Sequence, residues 1–171
     1  MKDKQTYLTK GSFALLLFVI LGYVVKFYPE QLIPFDSSIQ TAIRGDLPAI
    51  LTTIFRGITR LIDLPIVISW AILLTVIFYL KKWKSESLLV AGNLSLAGIL
   101  IVSLKYIYQR PRPEILHLVE EKGFSFPSGH SLAVTLLIGS LIIIVGQRVK
   151  DRTVKLILQI LLGIYLVSVI I

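Results

Sequence analysis

"SLLVAGNLSLAGILIVSLKYIYQRPRP", residues 87–113, runs an apolar stretch directly into a basic, proline-stiffened tail. Residues 87–104 carry no charged side chain and approach the ~20 residues that a helix needs to cross ~30 Å of hydrocarbon. Working outward, apolar runs of similar length lie at about 11–28, 64–80, 131–147 and 154–171. The chain of 171 residues is 55% hydrophobic and only 16% charged, with a mean hydropathy of +0.81. That composition is too apolar for a water-soluble domain of this length. The expected fold is all-α: a single domain over 1–171, a polytopic transmembrane helical bundle with five spans present.

The first run follows Lys2, Lys4 and Lys10, as a signal peptide would. It is too long for one, and the "YPEQ" after it offers no small-residue cleavage site, so it reads as an uncleaved anchor. The net charge is +8, but the basic residues punctuate the spans and form no nucleic-acid-binding patch. Three basic stretches, "MKDKQTYLTK", "KKWKSES" and "GQRVKDRTVK", precede the first span, separate the second from the third, and separate the fourth from the fifth. One topology puts all three on the same side. The positive-inside rule makes that side the cytoplasm and the N-terminus cytoplasmic in the cell membrane. Segments 29–63 and 105–130 then face outward, their basic residues diluted by Glu30, Asp36, Asp46, Asp63, Glu114, Glu120 and Glu121.

The outer segment 36–62 has apolar residues at helical spacing with arginines between them. Asp36 or Ser37 as a cap and Pro48 opening a second helix predict amphipathic pieces at the interface, packed over the spans. The chain has no cysteine, so thiolate chemistry and sulfur-ligated zinc are excluded. No carboxylate cluster suits magnesium, and neither metal nor cofactor is expected. The two histidines, His117 and His130, both fall in segment 105–130.

That segment carries the chemistry. Lysine at a helix end ordinarily anchors the helix to headgroups, and Lys105 alone would need no other explanation. In "RPRP", however, Pro111 and Pro113 fix their own φ and push Arg110 and Arg112 away from helical conformation, making a stiff extended arm. Stiffness reduces the ordering entropy lost when an anion binds, and an arginine fork matches paired phosphate oxygens. "FPSGHS", residues 126–131, supplies a complementary half. Pro127 and Gly129 mark a turn, Ser128 is a suitable N-cap, and the apolar run from Leu132 is the helix it opens. Such a start turns its first N–H groups outward with the positive dipole end behind them, and glycine admits an anion close to the backbone. The plain reading is a capped helix whose histidine wets the interface. Taken with Lys105 and Arg112, the set contains what is needed to hold a phosphate and protonate its leaving group, with His130 as the acid. A bound phosphate would favour the protonated, donating form of that imidazole.

At these residues the sequence resembles the type 2 phosphatidic acid phosphatase superfamily of membrane lipid phosphatases and related acid phosphatases. Its first motif, KxxxxxxRP, is matched by Lys105, Arg112 and Pro113, and its second, PSGH, by Pro127, Ser128, Gly129 and His130. The resemblance implies that Lys105, Arg112, Ser128 and Gly129 bind the substrate phosphate and that His130 is the catalytic general acid. It also implies metal-independent hydrolysis of a phosphate monoester or pyrophosphate on a lipid at the outer membrane face. Undecaprenyl pyrophosphate is the first-choice substrate, and phosphatidylglycerophosphate or phosphatidic acid the second. The layout of the spans resembles the family over nearly the whole chain.

The family's third motif, SRxxxxxHxxxD, supplies the nucleophilic histidine and the aspartate that orients it, and nothing in these 171 residues matches it. His117 has no aspartate at the corresponding spacing and is not taken as a substitute. The last span ends at Ile170 and Ile171 without a polar flank, so the expectation is a chain incomplete at its C-terminus, five spans of six. The alternative function is a catalytically inactive membrane protein that binds lipid phosphate headgroups with the same residues.

Overall fold

The computed structural model describes residues 2–44, 48, 50, 53, 57, 63–112 and 123–170. Among them every regular element is helical: α1 (Lys2–Phe27), α2 (Pro29–Arg44), α3 (Leu64–Leu80), α4 (Lys84–Tyr108), α5 (Gly129–Arg148) and α6 (Arg152–Ile170). Four stretches, Gln5–Phe27, Lys84–Tyr108, Gly129–Arg148 and Arg152–Val169, are long and apolar enough to cross a membrane. The helix α3 is as apolar but has 17 residues, about 26 Å at 1.5 Å per residue. Leu15, Val19, Ile72, Ile99 and Ile164 are each more than half exposed. Such surface is unfavourable in water and is what a lipid-facing helix presents. The protein is a multi-pass membrane helical bundle.

The helices reach beyond the apolar runs that announce them, since backbone hydrogen bonding continues through flanking lysines and arginines such as Lys84, Arg148 and Arg152. One expectation is corrected. The helix expected to begin with Asp36 or Ser37 as its cap begins at Pro29 and carries Pro34 inside it. Proline is well placed in a first turn, where its missing N–H has no acceptor to lose. Asp36 is therefore inside α2, where its carboxylate is used for an ion pair. The remainder of segment 36–62, apart from residues 36–44, 48, 50, 53 and 57, lies outside the described residues, as do Pro113 and His117.

The chain divides into two compact units, one formed by Met1–Leu47 and Lys105–Phe126, the other by Pro48–Leu104 and Pro127–Ile171. In the second, α5 and α6 form an antiparallel hairpin. Val67, Ala133, Val134 and Ile138 are buried with Leu162, Leu166 and Val169 packed against them. A second cluster joins Ala71, Phe78, Val90 and Ile144. Small residues let these helices approach, and the polar interior groups satisfy one another. Asn93 Nδ2 donates to Ser140 Oγ at 2.8 Å, and Ser140 in turn donates to the Leu136 carbonyl.

The turn between α3 and α4 is built by "KKW". Lys82 has φ +62, and its N–H reaches the Tyr79 carbonyl while that of Trp83 reaches the Phe78 carbonyl. This is a Schellman closure with lysine where glycine is usual, and Trp83 stacks on Phe78 at 5.8 Å to complete it. The Trp83 ring also lies 4.5 Å from the Arg148 guanidinium. Arg148 pairs with Glu86, whose side chain is only 6% exposed and whose Oε2 has no hydrogen-bond partner. Removing the cation would strand a buried carboxylate. Arg148→Ala is therefore expected to destabilise the unit by roughly 3 kcal/mol, and Glu86→Gln in the same chain to recover part of that loss. Denaturant titration in detergent micelles checks both.

In the first unit Tyr28 closes α1, its N–H bonded to the Val24 carbonyl, and α2 follows at once. Gly22 on α1 meets Tyr108 so closely that a Cβ there would clash with the phenol ring. Phe18 adds edge contact to Tyr108 at 6.3 Å and stacks on Phe126 at 6.1 Å. Lys26 Nζ donates to the Ile107 carbonyl at 2.6 Å, a cation placed on the C-terminal carbonyls of α4 where the helix dipole favours it.

Candidate functional site

Lys105 stands in the last turn of α4 and is half-buried. The helix stops because Gln109 adopts φ +49, a left-handed conformation unfavourable for a side chain with a Cβ, while its N–H still bonds to the Lys105 carbonyl. Arg110, Pro111 and Arg112 then leave the helix as irregular backbone. This arm is pinned by Ser125. Its N–H donates to the Arg110 carbonyl at 2.9 Å, and its hydroxyl lies 3.1 Å from the same carbonyl and 2.9 Å from that of Pro111.

Arg110 lies outside both motifs. Its guanidinium pairs with Asp36 of α2 at 2.5 Å. Arg112 Nε donates to the Gly123 carbonyl at 3.1 Å. Gly123 has φ +90, a conformation open to glycine and strained for any residue with a Cβ. Gly123→Ala is expected to lower stability by about 1–2 kcal/mol and to shift the carbonyl that holds Arg112. The first effect is read from the denaturation midpoint in micelles.

In the second unit Ser128 caps α5 from an extended conformation. Its Oγ accepts from the Ser131 N–H at 3.3 Å and from the Ser131 hydroxyl at 3.0 Å, so its own proton is what remains to donate. Pro127, just before the cap, is buried. A Cβ at Gly129 would meet Ile101 at 3.5 Å, ordinary contact, so packing does not require glycine there. Glycine is nonetheless the poorest helix former after proline, which leaves close approach of a ligand to the backbone as a reason for it. His130 lies in the first turn with its side chain 30% exposed, and its Nε2 is 4.0 Å from Oδ1 of Asp63.

Three residues were not singled out from sequence. Asp63 counted only as an outer acidic residue, although its place directly before "LP" at the start of α3 marked it as a helix-start residue. Gly123 and Ser125 carry no motif. Their signal was that they lie between the two halves, in the segment that must fold back on the arm.

Comparisons with known proteins bear on the same region. The family model described as the PAP2 superfamily matches residues 86–171, a stretch that contains Lys105, Arg112, Ser128, Gly129 and His130. Among solved structures the chain is similar to a transmembrane PAP2-type phosphatidylglycerolphosphate phosphatase from Bacillus subtilis, with a TM-score of 0.78 and 24% identity. That likeness covers 91% of this chain and 77% of the other and concerns the fold. No curated protein matches the sequence.

Proposed function

The chain belongs to the PAP2 superfamily, and from that premise we propose that it is an integral membrane lipid phosphatase hydrolysing a phosphate monoester or pyrophosphate at the outer membrane face. The observation that carries this reading is the pair of phosphate motifs inside the matched stretch. Lys105, Arg112, Ser128 and Gly129 hold the phosphate, and His130 is the general acid. Two cations offset the charge on the equatorial oxygens, a hydroxyl and helix-start N–H groups orient them, and an imidazole protonates the departing oxygen. With Lys105 and Arg112 in the cation role, the reaction requires no metal ion.

The orientation follows from the loop charges, which put the N-terminus in the cytoplasm and both motifs outside. Lipids presented at that leaflet are the candidate substrates, undecaprenyl pyrophosphate first and phosphatidylglycerophosphate or phosphatidic acid second. One observation favours a second reading: the third-motif histidine that would form the covalent intermediate is not among the 171 residues. Phosphate headgroup binding without turnover is that reading.

Phosphate release from each lipid in micelles, with and without EDTA, decides between them. The phosphatase reading expects release that survives the chelator within about 2-fold. Phosphate binding with no release on any of these lipids would favour the headgroup-binding protein, and release abolished by EDTA would overturn the metal-free mechanism.

A further inference from the structure

Arg110 lies outside both motifs, yet its side chain and its backbone carbonyl are both held. Its guanidinium meets Asp36 at 2.5 Å, with the two side chains 19% and 31% exposed. Its carbonyl accepts the Ser125 N–H, and the Ser125 hydroxyl lies against this carbonyl and that of Pro111. Asp36 is on α2, which follows α1 directly, and α1 itself grips the end of α4 through Lys26 on the Ile107 carbonyl and through Gly22 against Tyr108. The carboxylate offsets Arg110's charge, so this arginine is poorly suited to be a phosphate ligand and well suited to be a fastener. Two residues further on is Arg112.

We propose that Asp36 and Arg110 form a positioning pair that fixes the arm from which Arg112 addresses phosphate, making α2 part of the binding apparatus. The inference rests on the phosphate reading above. A partly buried, hydrogen-bonded arginine–carboxylate pair holds one geometry better than an exposed pair does. The intervening Pro111 transmits that geometry, because its ring leaves the backbone little freedom between the two arginines. Gly123 then receives Arg112 Nε from the other side. Without the pair, Arg112 keeps its charge but must be ordered anew each time an anion binds.

The test is a double-mutant cycle on the affinity of the full chain in micelles for inorganic phosphate, followed by calorimetry. Arg112→Ala is expected to weaken binding about 100-fold and Asp36→Ala about 10-fold, whereas Asp36→Ala added to Arg112→Ala changes it by less than about 2-fold. Asp36→Glu, which retains the carboxylate, should stay within about 3-fold of the native chain. A general structural lesion would instead weaken binding by the same factor in both backgrounds and would not be rescued by glutamate. That result overturns the positioning role. If Arg112→Ala weakens binding and Asp36→Ala does not, the positioning role also fails while the phosphate reading stands. If Arg112→Ala itself has no effect, both fail. Should Asp36→Ala not accumulate as folded protein, Asp36→Asn removes the charge at equal volume and enters the same cycle.

Discussion

His130→Ala is expected to lower phosphate release from a lipid phosphate by about 10²–10⁴-fold while changing the affinity for inorganic phosphate by less than about 3-fold. The imidazole sits in the first turn of α5 with its side chain 30% exposed. The cap that starts the helix belongs to Ser128 and Ser131, so truncation removes a proton donor without unfastening the helix. A lipid alcohol is a poor leaving group that needs a proton as its P–O bond breaks. A nitrophenyl phosphate is a good one that needs little help. The same variant should therefore lose about 10-fold or less on the aryl substrate. Release assays on both substrates, with the ratio of the two losses as the readout, check the role. Equal losses on both would assign His130 to phosphate binding and remove it as the acid.

What the sequence disclosed and what it hid divide along physical lines. The spans were legible because a membrane imposes one rule, about 20 apolar residues per helix, on each segment independently. Ser128 was legible because capping is local, a side chain bonded to an N–H three residues on. The hidden features join distant residues. Arg110 and Asp36 are 74 positions apart and Arg148 and Glu86 are 62 apart. Nothing in a single sequence says which of several carboxylates a given arginine will meet. Asp63 facing His130 belongs to the same class. The start of α2 was misjudged for another reason. Asp36 and Ser37 have the right chemistry for a cap, but Pro29, two residues after α1, offers an earlier start that needs none. The "KKW" turn was read as basic charge alone, because a left-handed lysine at 82 is stabilised by Trp83 stacking on Phe78 and not by the glycine that usually announces such a closure.

Arg112→Lys provides a sharper trial of the phosphate reading than loss of the side chain. Arg112→Ala is expected to raise the dissociation constant for inorganic phosphate about 100-fold, in keeping with removal of a charge-assisted, paired contact. Charge alone would predict near-complete recovery with lysine. Geometry predicts otherwise, because Arg112 Nε is bonded to the Gly123 carbonyl, and this donor, rigidly joined to the terminal nitrogens in one plane, sets the direction in which the fork faces. Lysine has no second donor on its stem, so it can meet either Gly123 or the anion, and as a point charge it cannot pair two oxygens. Arg112→Lys should thus remain about 10-fold weaker than the native chain. Gly123→Ala, which moves the same carbonyl, should weaken the native chain by several-fold and leave the lysine variant nearly unchanged. Calorimetric titration of the variants with inorganic phosphate at low and high salt separates the contributions, since raising the ionic strength attenuates charge attraction for arginine and lysine alike. The gap between the two side chains should persist at high salt if orientation is its cause. A gap that closes there would reduce Arg112 to a simple positive charge.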